Sequence, residues 1–170
     1  MLKDKLEDCG AIKYGEFTLT SGKKSNYYVD IKLASTEPDI LDDIASEMAE
    51  EVEGEKIAGM ELGAVPIATA VSLKTDKPFV MVRKKSKGHG TEGRLEGKLS
   101  KGEKVTVVED VTTTGGSAVE TVDVLRDAGA VVEKVLVVVD RKEGSNEKLD
   151  SIDTELVPLI TADELVNEES

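Results

Sequence analysis

The chain has no tryptophan, and only two phenylalanines and three tyrosines in 170 residues. A core so poor in aromatic bulk must be filled by Val, Ile, Leu and Ala, which favours an α/β sheet protein over an aromatic-rich sandwich. There is one cysteine, Cys9, so no internal disulfide can form and a reducing cytoplasm is the expected compartment. No apolar leader opens the chain, and no run approaches the roughly 18 apolar residues of a membrane span, so no membrane partner is expected. Basic residues are also scarce. Twenty-two Lys and Arg stand against 35 Asp and Glu, a net charge of −13, and a phosphate backbone needs a basic face to release its counterions, so no nucleic-acid partner is expected. The length predicts a single domain over residues 1–170, with no internal repeat or low-complexity linker.

What the chain does have is concentrated in Lys104 to Ala128, KVTVVEDVTTTGGSAVETVDVLRDA. Lys104 to Val108 reads as a buried strand, and after Ser117 the apolar residues Val119, Val122, Leu125 and Ala128 fall at helical spacing. Between them, Glu109 and Asp110 are expected at an exposed strand end. Val111 leads into Thr112, Thr113, Thr114, Gly115, Gly116 and Ser117, a tight turn that opens the helix. Such a turn cradles phosphate: glycines allow close backbone approach, the first helical N–H groups lack partners, and hydroxyls add donors at the positive end of the helix dipole. Two adjacent carboxylates suit a vicinal diol or a bound cation, so diol plus phosphate suggests a ribose 5-phosphate. Any doubly wound protein has strand-to-helix turns with Gly and Thr, and that plainer reading stands beside this one. A Walker A loop is excluded because no Lys follows the glycines, and GxGxxG is absent.

The remaining elements follow in order. Leu2 to Cys9 reads as a short amphipathic helix. Phe17 to Asp30 alternates at both ends around Ser21-Gly22-Lys23-Lys24, a β-hairpin whose tyrosines either pack a satellite core or form a hood over a ligand. Thr36 and Pro38 announce a helix that runs to Gly54, with Ile40, Ile44, Ala45 and Met48 on its buried face. Strands are expected at Lys56–Met60, Phe79–Val82, Val135–Val139 and Leu156–Leu159, with a helix over Ile67–Leu73. Residues 83–97 are basic and glycine-rich: Arg83, Lys84, Lys85, Lys87 and the single His89 fall within seven positions. This is either a solvated charge run or a lid without helix or strand that attracts a polyphosphate to an acidic protein. Arg141, at a strand end beside the central motif, suits a planar anionic base. Asn146 to Asp153 reads as polar connection, and Thr161-Ala162-Asp163-Glu164 as a capping box.

Taken together, VVEDVTTTGGS resembles the phosphoribosyl-diphosphate (PRPP) motif of the type I phosphoribosyltransferases. The hairpin pattern Phe17-Thr18-Leu19-x-Ser21-Gly22-x-x-Ser25 and the lid pattern Arg83-Lys84-x-x-Lys87-x-His89-Gly90 are similar to those of the orotate phosphoribosyltransferases. The resemblance implies an α/β fold, a mostly parallel sheet of about five strands flanked by helices, with residues 1–35 contributing the hood. It implies transfer of ribose 5-phosphate from PRPP to orotate with Mg²⁺, the ion held mainly through PRPP and water and with no certain protein ligand. Arg83, Lys84, Lys87, His89, Glu109, Asp110, Val111 and the turn from Thr112 to Ser117 fall on its PRPP-binding positions. Lys84, Lys87, His89 and Asp110 fall on catalytic ones, and Thr113, Arg141, Tyr28 and Val29 on orotate contacts. The family's dimer, in which the lid of one subunit acts on its mate, is implied as well. Two departures stand out: Thr20 replaces a hood lysine, with Lys23 a neighbour able to substitute, and Gly63 stands where a lysine is common. The rival readings are a phosphoribosyltransferase for a purine or for uracil, and a PRPP-sensing transcriptional regulator.

Overall fold

The apolar, β-branched runs stack into a six-stranded sheet in the order β5-β4-β3-β6-β7-β8, described here from a computed structural model for residues 1–88 and 91–166. The strands are β3 (Lys56–Met60), β4 (Phe79–Val82), β5 (Leu95–Glu96), β6 (Lys104–Thr112), β7 (Val131–Asp140) and β8 (Glu155–Thr161). All pair in parallel except the edge strand β5, which runs antiparallel to β4. A separate antiparallel hairpin joins β1 (Ile12–Thr18) to β2 (Lys24–Val29). The helices are α1 (Leu2–Asp8), α2 (Ile31–Ala34), α3 (Pro38–Ala49), α4 (Ala64–Thr75), α5 (Gly116–Asp127), α6 (Ser145–Asp150) and α7 (Ala162–Val166).

Side chains alternate across the central strands as the pleat requires. Val108, Leu136 and Val138 face the layer that contains Leu6, Ile31, Ile44, Met48, Ile67 and Leu165. Val105, Val107, Val135 and Val137 face α5 and α6 through Ala118, Val122, Leu125 and Leu149. Both faces of β6 and β7 are therefore covered, which is why these strands read as nearly continuous apolar runs.

Several elements differ from the sequence reading. β6 continues four residues past Val108 and β7 begins four before Val135, because each strand pairs along its length with its neighbours. Polar residues 145–150 form α6, which buries Leu149. The Thr36 hydroxyl donates to the Leu33 carbonyl and so closes α2, while Glu37 precedes Pro38 at the start of α3. The glycine-rich segment is not devoid of structure: Thr91–Arg94 forms a 3-10 turn and Leu95–Glu96 is β5. At the C-terminal cap, the Thr161 N–H donates to Glu164 Oε2 at 2.7 Å, as the box pattern requires.

Candidate functional site

The carboxyl ends of β3, β6 and β7 meet the hairpin, and three adjoining clefts open there. The first, of about 230 Å³, is lined among others by Lys32, Glu61, Gly63, Lys84, Glu109 and Asp110. Glu109 is not at an exposed strand end. Because β6 runs on to Thr112, Glu109 sits inside the sheet opposite Val137 and is 5% exposed. Burial, followed by the charge of adjacent Asp110, pushes its carboxyl up to about 8. At neutral pH Glu109 keeps its proton, and the acid pair does not carry its full double charge.

Asp110 is more open. Lys32 Nζ lies 3.8 Å from Asp110 Oδ2, and the Asp110 N–H donates to Glu109 Oε1 at 3.2 Å. The Glu61-Leu62-Gly63 loop packs directly onto Asp110: a Cβ at Gly63 would fall 2.1 Å from Asp110 Oδ2. Glycine at this position leaves room for the carboxylate where any side chain would displace it. Across the cleft, Glu61 Oε1 accepts the Lys84 backbone N–H at 2.7 Å.

The second cleft, about 190 Å³, is enclosed by Val111 through Ala118. Gly115 stands at φ +86°, and a Cβ there would come within 2.9 Å of Ser145 Cα, so glycine is required both by the turn and by the close approach of α6. No side chain caps the N-terminus of α5, which leaves its first N–H groups free for an anion. The threonines divide. Thr112 is buried and its hydroxyl donates to Asp140 Oδ1 at 2.9 Å, while Thr113 and Thr114 line clefts on either side of the turn.

The third cleft, about 390 Å³, lies between hairpin and sheet, with Thr20, Lys23, Tyr28, Val29, Thr113 and Arg141 in its wall. Arg141 follows β7 directly, its N–H donating to the Thr112 carbonyl at 2.9 Å. Thr20 and Lys23 border the same cleft, so the hairpin sets a lysine beside the position where the expected hood lysine is absent.

The basic segment folds back on itself. Arg83 N–H donates to the Arg94 carbonyl at 2.7 Å, and Arg94 bonds the carbonyls of Arg83 and Lys84 and reaches Glu120 of α5 at 2.6 Å. Lys87 and Arg83 both pair with Glu96, at 2.7 and 3.3 Å, and the Lys87 hydrogen bond chiefly holds the Glu96 carboxyl below its usual range. Of the expected lid residues, then, Lys84 borders the acid-pair cleft while Arg83 and Lys87 are gathered on Glu96. His89 lies outside the described residues. Lys32, Glu61 and Glu96 were not anticipated; Glu61 follows a strand read correctly, whereas Lys32 carries no local signal.

Among the described residues, no group of three or more His, Cys, Asp or Glu is placed to hold a metal ion, and no helix is long and apolar enough to cross a membrane. Residues 35–164 match the family model described as phosphoribosyl transferase domain. The chain is 54% identical over 162 residues to the orotate phosphoribosyltransferase of Methanocaldococcus jannaschii, covering 94% of this chain and 92% of the relative. Its fold is similar to the crystal structure of orotate phosphoribosyltransferase from Aeropyrum pernix, with TM-score 0.87 and 34% identity over 99% of this chain and 98% of the other. It is also similar to Leishmania donovani UMP synthase, with TM-score 0.85 and 30% identity over 98% of this chain and 37% of that longer one.

Proposed function

The chain belongs to the phosphoribosyl transferase domain family, and from that premise we propose that it transfers ribose 5-phosphate from PRPP to orotate, giving orotidine 5′-monophosphate and pyrophosphate for pyrimidine synthesis. The observation that carries the reading is the meeting of acid pair, phosphate turn and Arg141 along the carboxyl ends of neighbouring strands, under one hairpin.

In this reaction the bond between the anomeric carbon and the pyrophosphate oxygen breaks, and a bond from that carbon to the base nitrogen forms. Positive charge builds on the ribose and negative charge on the departing group, so catalysis needs acceptors near one and cations near the other. The turn from Thr113 to Ser117, with the free N–H groups of α5, holds the 5-phosphate. Asp110 accepts from a ribose hydroxyl, and Glu109, protonated at neutral pH, contributes an O–H donor as well as an acceptor beside it. Lys84 meets the pyrophosphate, with Arg83, Lys87 and His89 delivered by the lid. Arg141, Thr113 and the backbone at Tyr28 and Val29 take the base.

The first cleft is lined by Glu61, Glu109 and Asp110, whose oxygens suit Mg²⁺, a hard ion that keeps several waters and draws its other ligands from substrate phosphates. Asp110 is the residue that would hold it, through water, and when bound the ion supplies charge neutralisation at the pyrophosphate.

The working unit is a homodimer in the cytoplasm, each lid serving the partner's site. Capture of Lys87 and Arg83 by Glu96 of the same chain supports this, since those cations are not at their own acid-pair cleft. Mixing Lys87→Ala with Arg141→Ala protein is expected to restore activity through hybrid dimers. Mixtures as inactive as either parent, despite proven subunit exchange, would place the lid in its own site. The activity itself is tested by supplying PRPP with orotate, uracil, hypoxanthine and guanine in turn. Orotate alone is expected to be consumed, because buried donors arranged for a carboxylate are left unpaired by the uncharged bases. Purine turnover at a comparable rate would leave a phosphoribosyltransferase of different base choice.

A further inference from the structure

Arg141 is a buried cation that forms no ion pair among the described residues. It is 9% exposed, no carboxylate among them lies within ion-pair distance, and its Nε is buried without a hydrogen-bond partner. Such a group is costly unless something orders it and something else completes it. The ordering comes from two hairpin side chains. The guanidinium carbon lies 4.3 Å above the centroid of the Tyr27 ring, and Nη2 donates to Ser25 Oγ at 3.0 Å. Ser25 is fixed in turn, its hydroxyl donating to the Tyr27 carbonyl at 2.8 Å, and Tyr27 is itself buried in the core layer beneath the hairpin.

We propose that Ser25 and Tyr27 are positioning residues that hold the Arg141 guanidinium in one orientation for the carboxylate of the base, so that the hairpin determines base choice through the arginine it touches. This rests on the reading that the base is orotate. An arginine side chain free to sample its rotamers would lose that freedom on binding, whereas one already lying flat on a ring and tethered at one nitrogen presents its planar fork without that cost. The ring covers one face, leaving the in-plane donors for the ligand. A bound carboxylate would then supply the partner that the fold withholds.

The test measures kcat and KM for orotate and for PRPP in the full-length wild type and in Tyr27→Phe, Tyr27→Leu, Ser25→Ala, Arg141→Ala and the double variant Tyr27→Leu/Arg141→Ala. Tyr27→Leu is expected to raise the orotate KM about tenfold and Ser25→Ala about threefold, the sizes of a desolvated cation–π contact and of one hydrogen bond. The PRPP KM and kcat should stay within about twofold, since uniform loss of base binding leaves them alone. Tyr27→Phe keeps the ring and should restore the orotate KM. In the Arg141→Ala background, Tyr27→Leu should cause no further fall in kcat/KM for orotate, because the contact it serves is already gone. An unchanged orotate KM in both Tyr27→Leu and Ser25→Ala, a Tyr27→Phe variant as impaired as Tyr27→Leu, or full additivity in the double variant overturns the positioning role. A wild type that does not consume orotate instead overturns the functional reading beneath it, so the two failures are told apart.

Discussion

The two ends of the sheet treat charge in opposite ways. At the amino ends three buried or half-buried lysines sit among carboxylates, while the half-buried Lys77 donates to the Gly54 carbonyl. Lys134 of β7 reaches Glu53 at 3.1 Å and Glu51 at 3.6 Å, Lys104 of β6 bridges Glu53 and Glu133 at 3.2 and 3.1 Å, and Lys56 of β3 pairs with Glu103 at 3.1 Å and donates to the Lys98 carbonyl. At the carboxyl ends the arrangement is reversed: Glu109 is buried next to another acid, and Arg141, although it follows Asp140, has no carboxylate within ion-pair distance among the described residues. One end is electrostatically complete and holds the strands together; the other is left incomplete in the places where a ligand would complete it.

The carboxyls that mark the two ends, Glu53 and Glu109, have pH dependences of opposite sign. Hydrogen bonds from Lys134 and then Lys104 lower the Glu53 carboxyl, so that end stabilises above the ordinary carboxylate value of 4.5 and loses the contribution as pH falls through the lowered value. Burial alone would lower Lys134, but its hydrogen bond to Glu53 and the charges of Glu53, Glu155 and Glu51 outweigh it and raise it, so its contribution is whole below pH 10.5 and is lost as pH rises through the raised value. Glu109 behaves oppositely to Glu53. Its folded value lies above the unfolded one, so the stability it supports is whole below pH 4.5 and is lost as pH rises to about 8.

The sharpest way to break this contrast is Asp110→Asn. It removes an acceptor at the ligand end without removing packing, and kcat/KM for PRPP should fall about 100-fold or more, with the unfolding midpoint moved by only about 2 °C. Parallel losses of activity and stability would make Asp110 an ordinary structural residue. Next in size is Glu109→Gln, expected to lower activity about tenfold while making the protein more stable than wild type at pH 8–9. Thermal melts at pH 4 and pH 9 decide it, since the two proteins should match at the lower pH and diverge at the higher. A smaller effect of the opposite kind is expected for Lys134→Met, which should lower the midpoint by about 3–5 °C and leave kcat/KM unchanged. Smallest is Lys104→Ala, whose pairs are solvent-exposed; its effect on the midpoint should vanish in high salt, whereas a salt-independent loss would mean packing rather than charge.

Much of the ligand end was legible because its chemistry is local. Strand, acid pair, Thr-Gly turn and helix lie within Lys104–Ala128, and the periodicity change across Ser117 marks the boundary without tertiary information. The burial of Glu109 was not legible, because it depends on how far β7 extends alongside β6. The two-residue β5 is too short to carry a pattern. Lys134 precedes the strand read at Val135–Val139, and only pairing along β7 from Val131 onward places it inside. Tyr27 was read beside Tyr28 as hairpin aromatic content, but its partner lies 114 residues away (141 − 27), a distance no local signal spans.

Asp140 carries a consequence for how this scaffold diverges. Its carboxylate accepts from Thr112 Oγ1 at 2.9 Å, Ser145 Oγ at 2.5 Å and the Lys142 N–H at 3.1 Å, riveting the end of β6 to the end of β7. The spacing between the phosphate turn and Arg141 is thereby a constant set by neighbouring strands, and a ligand of another length cannot be accommodated by stretching that floor. Accommodation falls to the hairpin, whose residues 12–29 lie before the stretch 35–164 that carries the domain match. Exchange of that hairpin, with the floor left intact, is the step by which a protein of this architecture is expected to acquire a new base.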